Sequence, residues 1–248
     1  MEKTPNWQLT RIFRGLVVIV TCALSAATAV AADDPAFKFT LGSYHQSNGE
    51  NSLDANLRWQ NNAHTVWLGS YLTSNSFRQY RAGYEHNTKS ENLRSTVSLQ
   101  LASGGFLGGS LTGEIGPDRL FAILGVGRTN LQNYFNLNFD PNDMVQWGVG
   151  THFAEHQSLL AYRIQDNRLG TGQKVTHLIW RDVYSDRHRI TLDLFYKSGE
   201  LDTGQIIQGK VGFGVGYDVN AWFVKLALDP NVNFTSNRMT RISIGVRF

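Results

Sequence analysis

The feature that most restricts the fold of this chain is a two-residue alternation of apolar and polar side chains that recurs up to its last residue. Ile242, Ile244, Val246 and Phe248 alternate with Arg241, Ser243, Gly245 and Arg247, and Ile190, Leu192, Leu194 and Tyr196 alternate with Thr191, Asp193, Phe195 and Lys197. Val211, Phe213, Val215 and Tyr217 stand in the same relation to Gly212, Gly214, Gly216 and Asp218, as do Trp222, Val224, Leu226 and Leu228 to Phe223, Lys225 and Ala227. Successive side chains of a strand point to opposite faces, so each run predicts a strand with one apolar and one more polar side. After Ala32 no apolar run approaches the roughly 18 residues of a membrane-crossing helix.

The connections alternate as well. Short turns (Asn61 to His64, Asn87 to Asn92, Pro117 to Arg119, Ala154 to Gln157, Ser185 to Arg187, Val219 to Asn220) follow every second predicted strand. The intervening connections include the longer ones, Asn130 to Asp143, Asn167 to Gln173, Gly199 to Gly209 and Pro230 to Asn237. Short turns at one end and long loops at the other are the pattern of outer-membrane barrels, with the short end in the periplasm. The expected fold is therefore all-β, a transmembrane antiparallel β-barrel of 12 to 14 strands. Closure is a physical requirement in hydrocarbon, because an open sheet edge leaves backbone N–H and C=O groups without partners.

Residues 1–31 carry the parts of a cleaved export signal. Lys3, Arg11 and Arg14 supply a basic start, Leu16 to Val20 and Ala23 to Ala27 an apolar stretch, and Ala29-Val30-Ala31 a small-x-small cleavage site. The barrel is then residues 32–248, and removal of the signal takes away the one cysteine, Cys22. The mature chain has no thiol or disulfide chemistry, and a metal would have to be held by oxygen or imidazole. The net charge of +3 falls with the signal, and no basic cluster interleaved with aromatics remains, which argues against a nucleic-acid partner.

One short motif carries chemistry. His45 and Ser47 share the parity of Phe37, Phe39 and Leu41, so they face lipid near the outer end of the first strand, one pleat apart. A hydroxyl beside an imidazole is the core of a nucleophilic hydrolase, given a third group that orients the base. His45-x-Ser47-Asn48-Gly49 resembles the active-site motif of outer-membrane phospholipase A, and His-x-Ser-Asn is similar to that of the lipid A 3-O-deacylases. The resemblance implies a serine-type acyl hydrolase of outer-membrane lipids, with Ser47 as nucleophile, His45 as general base and Asn56 as orienting group. Periodicity turns Asn56 inward with Asp54, so that role needs a bulge or a different third residue, Glu50 and Asp54 being the alternatives.

The phospholipase resemblance also implies calcium as cofactor, for which Glu50, Ser52 and Asp54 would supply oxygen ligands. Asp140-Pro141-Asn142-Asp143 has the composition of a cation site and reads more simply as a solvated turn. The bland reading of Ser47-Asn48-Gly49 is a hairpin turn, since Asn-Gly favours positive φ. The alternative function is accordingly a non-enzymatic barrel, a pore, transport or structural protein, with Lys38, Thr40, Asp193, Lys197, Lys225, Arg241 and Arg247 facing its lumen. The last eight residues, ending on Phe248, are similar to the terminal signal read by the barrel-assembly machinery. Outer-membrane lipids are the other expected partners, and the sequence leaves a homodimer open.

Overall fold

A computed structural model describes residues 36–248 apart from 136–139, 167 and 186; the export signal lies outside the described residues. Fourteen strands run β1 (Phe37–Gln46), β2 (Asn51–Asn61), β3 (His64–Thr73), β4 (Arg78–Lys89), β5 (Leu93–Ala102), β6 (Phe106–Ile115) and β7 (Phe121–Thr129). They continue as β8 (Met144–Ala154), β9 (Gln157–Asp166), β10 (Lys174–Ser185), β11 (His188–Glu200), β12 (Ile206–Val219), β13 (Trp222–Asp229) and β14 (Met239–Arg247). Each pairs antiparallel with its sequence neighbour, and β1 pairs with β14, so the sheet closes into a barrel. The upper end of the expected strand number is the one observed.

Turns of two to five residues lie at one end and connections of three to fourteen at the other, as the sequence predicts. The alternation does what it foretells. Leu68, Leu99, Leu111, Leu194, Ile242 and Ile244 point away from the barrel and are half or more exposed. A belt of this size on a protein surface marks contact with an apolar phase. Exposed aromatics border it, Phe37, Tyr84, Phe153, Tyr184 and Trp222 toward the short turns and Phe77, Tyr80, Trp147 and Tyr196 toward the long loops, where rings with polar edges favour the membrane interface. With no free edge and an apolar exterior, the chain is an outer-membrane barrel.

The seam is closed by its end residues. Phe37 N–H donates to the Phe248 carbonyl at 2.8 Å, Phe248 N–H donates back at 2.9 Å, and the two rings stack with centroids 5.6 Å apart. Deleting Phe248 leaves both Phe37 backbone groups unpaired, so it should sharply lower the yield of folded, heat-modifiable protein, whereas Phe248→Ala keeps the backbone pair and should lower it less. Gel mobility of unheated membrane fractions reads both, and full yield from the deletion would refute the seam as a requirement for assembly.

The interior is not an empty tube. Inward aromatic rings lie flat on glycines of the neighbouring strand: Trp67 over Gly83, Phe121 over Gly150, Phe195 over Gly212 and Phe223 over Gly245, where an added Cβ would sit 2.1 to 2.3 Å from ring carbons. A buried apolar cluster, including Tyr44, Tyr71, Val175, Phe195, Leu201, Ile207 and Met239, fills part of the long-loop end. Val232 and Phe234, in a short 3-10 turn of the loop between β13 and β14, close over it.

Candidate functional site in the lumen

Below that cluster most inward positions are polar, because the face opposite the lipid belt need not be apolar. They line a cavity of about 520 Å³ that includes Lys38, Thr40, Asp54, Asn56, Arg58, Arg81, Phe223, Lys225 and Arg241, within the usual size of small-molecule sites. The wall carboxylates have partners. Asp54 is paired with Arg81 with both side chains almost fully buried, Glu85 takes two bonds from Arg58 at 3.1 and 3.2 Å, and Glu114 accepts from Arg94 at 2.6 Å. Asp218 is shared by Arg189 and Arg247.

A second hollow, about 1010 Å³, lies at the short-turn end among Arg94, Glu114, Arg119, His152 and Arg181. In the turn there, the hydrogen bond from Arg94, and then its charge, hold the Asp118 carboxyl below the ordinary range.

Tyr134, Asp140, Pro141 and Asn142 of the loop between β7 and β8 line the cavity of about 520 Å³. The loop's first part packs on one wall: Tyr134 stacks on Phe106 and Phe135 on Tyr71, both with centroids 4.3 Å apart. Gln79 of β4 holds the backbone there, donating to the Asn133 carbonyl at 3.4 Å and accepting from Phe135 N–H at 3.3 Å. Asp140, near the loop's other end, reaches His177 of β10, whose Nε2 lies 3.0 Å from the carboxylate. The opposite ring nitrogen, Nδ1, is 2.9 Å from Asp193, and Tyr162 stacks on the ring. Tyr71 is on β3 and His177 on β10, seven strands apart in a ring of fourteen, so the loop touches walls across the barrel's diameter.

Ionised carboxylates only accept hydrogen bonds, so an imidazole bonded to one at each nitrogen donates from both, as an imidazolium does. The other end of the loop is fixed by Asp143, which accepts from Thr129 N–H at 3.1 Å and pairs with Arg168 and Arg128. The expectation of a solvated turn at Asp140 to Asp143 is therefore corrected: Asp143 is buried, and both carboxylates anchor the loop. The composition was visible in the sequence; its partners, 25 and 37 residues away, were not.

The sequence-predicted hydrolase site lies elsewhere, at the outer rim. His45 and Ser47 do face outward and are exposed. They are not joined: His45 Nδ1 bonds the Asn51 side-chain oxygen at 2.9 Å, and the Ser47 hydroxyl accepts from Arg238 N–H at 3.1 Å. Asn56 stands opposite Thr40 and lines the lumen on the other side of the wall. The serine-hydrolase expectation is corrected accordingly, because no bulge reverses the phase of β2 and the three residues do not form a relay.

Ser47-Asn48-Gly49 is the hairpin turn, with Gly49 at φ 85° and its N–H on the Gln46 carbonyl at 3.0 Å. The three residues named for calcium each have a protein partner: Glu50 accepts from Asn75 at 3.1 Å, Ser52 from Tyr71 at 2.9 Å, and Asp54 is held by Arg81. Among the described residues no group of three or more His, Cys, Asp or Glu side chains is arranged to hold a metal ion.

Fold and site together define a closed fourteen-stranded β-barrel of the outer membrane, with described residues of the loop between β7 and β8 lining its lumen. No protein-family model and no curated protein sequence matches the chain. Among solved structures it is similar to a KdgM porin, at 10% identity over 85% of this chain and 99% of that one, with a TM-score of 0.46. A NanC porin matches at 10% identity over 85% and 100% of the two chains, TM-score 0.46. The CymD monoaromatic hydrocarbon channel matches at 10% identity over 87% and 89%, TM-score 0.49.

Proposed function

We propose that this barrel is a solute channel whose bore is set by the loop between β7 and β8. The observation that carries the reading is that this loop is bonded to walls across the diameter, Tyr71 and Gln79 on one side and His177 on the other, beside a polar cavity of about 520 Å³. Charged groups lining an interior hollow cost desolvation that an apolar filling would avoid. A channel uses them, because a solute crossing the membrane needs a polar path. The loop then acts as a size filter.

The test is conductance of the purified mature barrel in planar bilayers. Discrete, small steps are expected, with a size cut-off for neutral sugars in liposome swelling. An electrically silent barrel that also fails to swell liposomes would overturn the reading.

A further inference from the structure

We propose that the periplasmic end of the lumen holds a binding site for a small oxyanion, a carboxylate- or phosphate-bearing solute, built from Lys38, Lys225 and the ring of Phe223. In its physiological use this rests on the channel reading; as a binding site it does not.

The three elements concerned are adjacent in the sheet. Lys38 on β1 stands directly opposite Arg247 on β14, and β14 in turn pairs Gly245 with Phe223 and Ser243 with Lys225 on β13. Gly245 leaves room for the Phe223 ring to lie against the wall, and three cations gather over it. Lys38 Nζ is 4.7 Å from the ring centroid, the Arg247 guanidinium 5.0 Å and Lys225 Nζ 5.7 Å.

Attraction to the ring offsets only part of such crowding, since a cation–π contact is weak and like charges directly opposite on paired strands repel. Arg247 is neutralised by Asp218 at 2.7 Å. The two lysines are not: among the described residues neither amine has a carboxylate within salt-bridge distance, and both line the 520 Å³ cavity. The nearby wall carboxylates Asp54, Glu85 and Asp218 are already taken by arginines.

Two ammonium groups converging on one ring from a polar cavity, with no fixed counter-charge, lack an anion. Thr40 and Ser243, which line the same cavity, add hydroxyl donors beside them. Lysine rather than arginine suits a site that passes its ligand on, because an ammonium binds as a point charge without the bidentate grip of a guanidinium.

Equilibrium dialysis of the detergent-solubilised mature barrel against labelled succinate and, separately, inorganic phosphate tests this without needing conduction. Wild type should bind at least one of them, with affinity falling steeply between 20 and 500 mM salt, on the order of tenfold or more as screening shortens to a few Å. The pair Lys38→Gln and Lys225→Gln together should weaken binding at least tenfold, while Lys38→Arg with Lys225→Arg should retain it, which separates lost charge from lost folding. Succinate without phosphate would assign a carboxylate solute, and the reverse a phosphate one.

No binding of either anion by wild type, or undiminished binding by the double Gln variant, overturns the proposal. Binding by a barrel that neither conducts nor swells liposomes would overturn the channel reading and leave the anion site standing. In bilayers that do conduct, a salt gradient should show anion preference that the double Gln variant loses.

Discussion

His177→Ala should raise single-channel conductance several-fold and abolish the size cut-off. The substitution removes the imidazole that bonds Asp140 of the loop at 3.0 Å and Asp193 of the wall at 2.9 Å, and leaves two carboxylates facing each other. Removing one partner from a buried charged cluster costs about 3–5 kcal/mol. Here that cost can be avoided by letting the loop leave the wall, because Asp140 can regain water in the lumen while the barrel strands stay paired. The barrel should therefore keep its heat modifiability as its bore widens. Asp140→Asn should give a smaller increase, since the neutral amide still offers a hydrogen-bond acceptor to Nε2. Unchanged conductance in His177→Ala would show that the latch does not set the bore.

How much of this was legible in the sequence follows the range of the interactions. The faces of β11 to β14 could be read from alternation alone, because whether a side chain meets lipid or lumen depends only on its parity. The same rule turned Asn56 inward, and the structure keeps it there opposite Thr40. The alternation also places Gly212, Gly214, Gly216 and Gly245 on the inner face. Their use is a cross-strand matter: Gly212 accommodates Phe195, and Gly245 accommodates Phe223, and register between strands is not written in either strand separately.

The hydrolase expectation failed for a related reason. His45 and Ser47 have the right parity, but Asn51 in the next strand and Arg238 in the last loop take their hydrogen bonds. The inserted loop was least legible. Its sequence mixes Asn and Asp with Leu131, Tyr134, Phe135, Leu137 and Phe139, and only closure of the ring brings Gln79 and His177, 54 residues from Asn133 and 37 from Asp140, within reach of it.

Lys197→Met should destabilise the barrel by about 3–5 kcal/mol, the largest loss expected from any single substitution outside the loop latch. Lys197 lies near the outer end of β11, and both it and Asp229 of β13 have fully buried side chains. Nζ donates to Asp229 at 2.9 and 3.2 Å and to the Asn231 carbonyl at 2.9 Å, and it sits 4.7 Å from the centroid of Phe234. One ammonium thus ties a barrel wall to the loop between β13 and β14. Methionine fills the volume but strands the Asp229 carboxylate in the apolar cluster, where Asn231 N–H at 3.0 Å remains to it. The cost is in the unpaired charge rather than the lost pair, so Lys197→Met combined with Asp229→Leu should recover most of the stability. Urea titration of barrels refolded into lipid vesicles measures all three variants. A loss under about 1 kcal/mol in Lys197→Met, or a double variant as unstable as the single one, would show that Asp229 reaches water and that the outer end is open where the structure closes it.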